Sequence, residues 1–157
     1  MPQSADTGIK RVLLSWSSGK DSAWALYQLQ QESMVEVVGL LTTFNSAFNR
    51  SAIHGVRQQL LCLQAKAAGL PLIEVTLPWP CSNEQYEAVM DKALDDACSL
   101  LKPHAIAFGD LYLEDIRAYR ERQMAGVGLD LVFPLWQIPT KKLAQEMITG
   151  GLKAKIT

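Results

Sequence analysis

The chain holds three cysteines among 157 residues and its formal net charge is −1. Each scarcity removes a class of protein. Cys62, Cys81 and Cys98 are odd in number and widely spaced, with no C-x-x-C pair and no Cys/His cluster of zinc spacing. That excludes a disulfide framework and a structural zinc site, and leaves free thiols of a reducing compartment as the expectation. Fifteen Lys and Arg against sixteen Asp and Glu argue against a nucleic-acid partner bound through bulk charge, although a local basic patch stays open. No apolar run approaches the roughly 20 residues that span a bilayer. The start, MPQSADTGIK, is too polar for a signal peptide. A cytoplasmic protein with no membrane partner is therefore expected. Glycine is also missing where one common loop needs it. Gly19 is the sole glycine in the turn after the first apolar run, so the dinucleotide fingerprint G-x-G-x-x-G is absent.

What remains is ordinary globular composition, 48% hydrophobic and 20% charged, in a length that predicts one domain with a real core. Residues 1–8 read as a frayed polar start. Short apolar runs at 9–16, 35–44, 70–77, 104–110 and 129–136 read as strands, nearly continuous in apolar residues as buried parallel strands are. Between them lie helical spacings. In 21–33, Ala23, Leu26, Tyr27 and Gln30 share a face. In 54–68, Val56, Leu60, Leu63 and Ala67 do, with Gly69 as a C-terminal cap. Further helices are expected after Asn83 as a cap, over 113–126, and over 139–151 with Thr140 as its cap. Residues 45–55 read as a loop of about ten residues, longer than the median connection. LKAKIT at the end looks like a sixth strand beginning.

Strands alternating with helices demand an α/β fold, a parallel sheet covered on both faces. Ligands then sit at the carboxyl ends of the strands, where strand order reverses. The loop after the first strand is that place, and it reads SSGKDS, residues 17–22. As a turn, Ser, Gly and Asp need no further explanation. Yet amides at a helix start attract anions. Ser17, Ser18 and Ser22 add hydroxyl donors, Gly19 permits close backbone approach, and Lys20 adds positive charge. That set suits a polyphosphate. Asp21 fits if Mg²⁺ bridges its carboxylate and the phosphates. The spacing is not Walker A: Leu14 stands where its first glycine belongs, and Asp21 follows the lysine in place of Ser or Thr.

The stretch resembles the PP-loop, SGGxDS, of the N-type ATP pyrophosphatases, with Ser17, Gly19, Asp21 and Ser22 matching and Ser18 in place of the first glycine. HGVRQQLLCLQAKAAGLPL (54–72) and FGDLYLEDIRAYRERQ (108–123) are similar to the diphthine–ammonia ligase family of PP-loop ATPases, bacterial members included. The resemblance runs over residues 11–157. It implies a three-layer, five-stranded parallel sheet of the HUP type (adenine nucleotide alpha-hydrolase-like), order 3-2-1-4-5. It implies an amide-forming ligase that uses ATP and Mg²⁺, releases AMP and diphosphate, and joins a carboxyl or carbonyl acceptor to ammonia or an amine. Family members continue past GLKAKI into a second, substrate-binding portion, so residues 9–157 are expected to be an ATP-binding domain lacking that portion. Nucleic acid is not an expected partner, and a homo-oligomer is left open.

On this reading Lys20 and Asp21 are catalytic with Asp110, which would hold Mg²⁺ or orient an amine. Thr42, Thr43 and Phe44 would receive adenine on backbone groups and an apolar wall, Phe108 either extending that wall or packing. Gly109 would let the nucleotide or acyl group pass close. His54, Arg57, Glu114, Asp115 and Arg117 fall on the substrate side of the match. Against this, His54 alone reads more readily as a cap or packed residue than as a catalyst. Glu114 with Arg117 and Arg117 with Glu121 read as ordinary surface pairs on a helix, Arg120 beside them. Trp16 and Trp24 read as packing, and Trp79 and Trp136 have no assigned task. Two other functions stay open: a nucleotide-sensing module without turnover, and a tRNA-modifying PP-loop enzyme.

Overall fold

The structure is a computed structural model that describes residues 8–156. The expected frayed start therefore lies, but for Gly8, outside the described residues. Five strands run parallel: β1 (Lys10–Ser15), β2 (Val35–Asn45), β4 (Leu72–Leu77), β5 (Ala105–Ala107) and β6 (Asp130–Val132). β1 pairs with β2 and β5, β2 also pairs with β4, and β5 with β6. The order across these five is β4-β2-β1-β5-β6. The sheet is not wholly parallel, however. Within the expected 45–55 loop a two-residue strand, β3 (Arg50–Ser51), pairs antiparallel with Phe44 and Asn45 of β2. The result is a mixed sheet of six strands.

Two layers of helix cover it. Val12 and Leu14 of β1, with Leu40 and Phe44 of β2, pack against α1 (Lys20–Gln31), α2 (Gln58–Ala68) and α5 (Thr140–Thr149). Leu13, Leu41, Val75 and Ile106 face α3 (Asn83–Leu101) and α4 (Glu114–Met124). Val12, Leu13 and Leu14 have no exposed surface, which is why β1 shows no apolar/polar alternation. α1 buries Trp24, Ala25, Leu26 and Leu29 and leaves Tyr27 43% exposed. Its inner face is thus rotated from the one the spacing suggested.

Several boundaries differ from expectation for local reasons. Residues 54–57 precede α2 instead of forming its first turn. Gly69 does cap α2 at φ +69°. α3 is capped by Ser82, not Asn83, because Ser82 and Gln85 exchange side-chain and backbone hydrogen bonds in a capping box. Thr140 is the first residue of α5, after Pro139, and caps nothing. β6 stops at Val132, and residues 134–137 turn away. Residues 152–156 form no strand. No helix among the described residues is long and apolar enough to cross a membrane.

Candidate functional site

The site begins where β1 leaves the sheet. Trp16 N–H donates to Leu41 O at 2.7 Å, the last β1 rung, and the chain then turns into the serines. Ser18 sits at φ +66°, the left-handed conformation that suits glycine. Ser17 Oγ accepts from Gly19 N–H at 3.2 Å and lies 3.2 Å from Ser22 Oγ. Ser22 hydroxyl donates to Gly19 O at 3.0 Å and accepts from Ser17 N–H at 3.4 Å. Its one proton is committed to Gly19 O, so in the serine pair Ser17 is the donor. These bonds close a ring that holds the loop. Ser22, 4% exposed, is its inner lock. Ala23 N–H bonds Gly19 O at 3.1 Å. The amides of Lys20, Asp21 and Ser22 therefore stand ahead of this first rung of α1, where helix amides lack intrahelical acceptors. They form the positive end of the helix dipole. Lys20 Nζ meets Asp21 Oδ1 at 2.7 Å, with side chains 55% and 32% exposed.

The walls come from distant parts of the chain. Leu41 O and Thr43 O point to the same edge of β2, since they are two residues apart. Trp16 N–H, just after β1, takes the first and Ala52 N–H takes the second, at 2.9 Å. The 46–57 segment is thus a hairpin that continues the sheet where β1 has ended, directly over the loop. It brings in His54: a Cβ on Gly19 would lie 3.2 Å from His54 Nε2. Arg57 is the exposed residue capping α2. Thr42 and Thr43 line the cleft beside Ser17 and Ile53. Phe44 does not. It is 3% exposed and packs with Leu61 and Ala65 on the α1/α2/α5 side, so the adenine wall assigned to it is corrected. The aromatics on the cleft are Trp16, Tyr86 and Phe108, with Met90 and Ile106.

Beyond β5, a Cβ on Gly109 would fall 3.0–3.1 Å from Asp21 C, Asp21 O and Ser22 N. The glycine is required by α1's own backbone, a role beyond the expected passage of ligand. Asp110 accepts from Arg120 Nε at 3.4 Å, both side chains 20% exposed, and Arg120 stacks on Phe108 at 4.6 Å. Asp110 is thus paired with a cation. Arg120 was grouped with surface charges by helical spacing, but the fold turns it into the cleft. Gln123 joins it there, its Nε2 buried without a partner among the described residues; no sequence signal marks that residue. Glu114 and Asp115 are exposed in the first turn of α4. Arg117 bonds Glu121 at 3.1 Å, not Glu114, and its guanidinium lies between Phe133 at 4.5 Å and Trp136 at 4.8 Å. It is a strut for the chain after β6, and Trp136 gains a task. Of the expected substrate-side residues, the fold brings His54 to the loop and engages Arg117 elsewhere.

A family model, the diphthamide synthase N-terminal domain, matches residues 10–131, from β1 into β6. No curated protein matches the chain.

Proposed function

Since the chain belongs to the diphthamide synthase N-terminal domain family, we propose that it binds ATP on residues 17–22 and cleaves it between the α and β phosphates. The reaction adenylates a carboxylate acceptor with release of diphosphate, and ammonia or an amine then displaces AMP to form an amide. The observation that carries this is the serine ring with Ser18 in the left-handed conformation, which presents the amides heading α1 as one anion cradle. Lys20, more than half exposed, has room to swing from Asp21 onto a phosphate. The residues fit Mg²⁺ held mainly by the nucleotide, because Asp21 is the loop's one carboxylate and no cluster of three or more metal-ligating side chains occurs among the described residues. Mg²⁺ there would neutralise charge developing on the diphosphate. Thr42, Thr43 and Phe108 line the place for adenosine. His54, over Gly19, faces the acceptor with Arg57. No protein nucleophile is needed.

The test is incubation with ATP, Mg²⁺ and ammonium over a panel of carboxylates. AMP and diphosphate are the expected products; ADP and phosphate would overturn the reading. Lys20→Ala and Asp21→Ala should each lower turnover by about 10²–10³, the effect of removing one preorganised charge contact. Wild-type rates in both would remove the loop from the chemistry. ATP bound but left intact with every acceptor would point to a sensing module instead.

A further inference from the structure

The hairpin over the loop has a second side. Phe48, Ile53 and Trp79 expose 58%, 67% and 64% of their surfaces and line one groove with Arg50 and Leu77. The rings of Phe48 and Trp79 meet edge to face at 5.7 Å. Large apolar side chains gathered this way on a surface mark an interaction site. The charge around them has one sign. Residues 45–57, NSAFNRSAIHGVR, carry Arg50, His54 and Arg57 and no Asp or Glu. None of the three has an ion-pair partner within 4 Å among the described residues. Arg50 Nη1 donates to Gly55 O at 2.7 Å, which fixes the guanidinium beside the apolar floor. Its fork has five N–H donors in all, a geometry that matches a carboxylate. Ile53 lines both this groove and the nucleotide cleft, and the next residue, His54, reaches Gly19. The groove therefore adjoins the place where an acceptor must meet ATP.

We propose that this groove is the acceptor subsite and that the acceptor is a small carboxylic acid with an aromatic or flat apolar body. The body lies on Phe48, Ile53 and Trp79, and the cationic hairpin draws the carboxylate toward the loop. This rests on the adenylating reading above. Single-stranded RNA also combines stacking with negative charge; the chain's net charge of −1 argues against binding a polyanion through bulk charge, and displacement by RNA is one outcome of the test.

The test is nucleotide-free binding of 4-phenylbutyrate to the whole chain by calorimetry, against 4-phenylbutylamine, acetate and a short single-stranded RNA. The acid should bind at least tenfold tighter than the amine and acetate, and the RNA should not compete. Trp79→Ala and Arg50→Gln should each weaken the acid at least tenfold with unchanged circular dichroism and ATP affinity. Equal binding of acid and amine, affinity kept in both variants, or displacement by the RNA would overturn the proposal. The two readings fail separately. Loss of groove binding with AMP formation intact overturns the groove alone. Groove binding with no AMP formed from any acceptor overturns the adenylating activity.

Discussion

Ser18 holds φ at +66°, and a left-handed backbone costs a residue with a Cβ about 1–2 kcal/mol. Ser18→Gly removes that cost but returns part of it as unfolded-state entropy, about 0.5–1 kcal/mol. The variant should be more stable by up to about 1 kcal/mol in urea unfolding. A loss of stability would mean that the Ser18 side chain holds the loop by itself. The sequence showed a serine where the PP-loop has glycine. It could not show that the backbone keeps the glycine conformation, because that depends on the ring closed by Ser17 and Ser22. Cys62 is a second case at this scale. Its thiol donates to Glu74 Oε1 at 3.2 Å, and that bond, followed by desolvation and the carboxylate's charge, raises its pKa. A raised pKa leaves less thiolate at pH 8, so Glu74→Ala should speed alkylation of Cys62 by iodoacetamide. An unchanged rate would show that the bond does not govern the thiol.

Among elements, the contact between the end of β5 and the start of α1 sets the loop's position. At Gly109 a methyl would meet backbone atoms of Asp21 and Ser22, which cannot rotate aside as a side chain can. Gly109→Ala should cost about 1–3 kcal/mol, as overpacking does. It should also weaken ATP binding at least tenfold, since relief requires moving the amides proposed to hold the phosphates. Denaturant unfolding with a nucleotide titration checks both, and wild-type values would show that room exists. Helix existence was legible throughout, but the buried face was not: α1 leaves Tyr27 exposed, and α2 leaves Leu60 and Leu63 exposed and buries Leu61 and Ala65 instead. Nor was the β3 hairpin. Residues 45–55 hold no alternating apolar pattern, and they pair only because β2 outruns β1 and leaves Thr43 O open to Ala52.

For the whole molecule, β1 is a central strand that packs against both layers, as β2 does. Leu13 faces α3 and α4 and Leu14 faces α1, α2 and α5, each without exposed surface. Leu13→Ala and Leu14→Ala should each cost about 2–5 kcal/mol. Their combination should cost about 4–10 kcal/mol, most of a total stability of about 5–15 kcal/mol, and leave the chain at best marginally folded. Thermal unfolding of the three variants decides it, and a stably folded double variant would mean that the layers can collapse onto the gaps.

The sequence by itself determined the alternation of strand and helix, the parallel sheet within it and the position of the SSGKDS loop at its first turn. All three are written in local periodicity and in a contiguous hexapeptide. Only the tertiary structure decided that Phe44 packs behind the sheet, that Arg120 turns inward to Asp110, that Arg117 braces Phe133 and Trp136, and that the 46–57 hairpin hangs His54 over Gly19. Those outcomes depend on which edge of β2 is free and how α4 sits against β5. Such facts arise between residues far apart in the chain, where no local pattern records them.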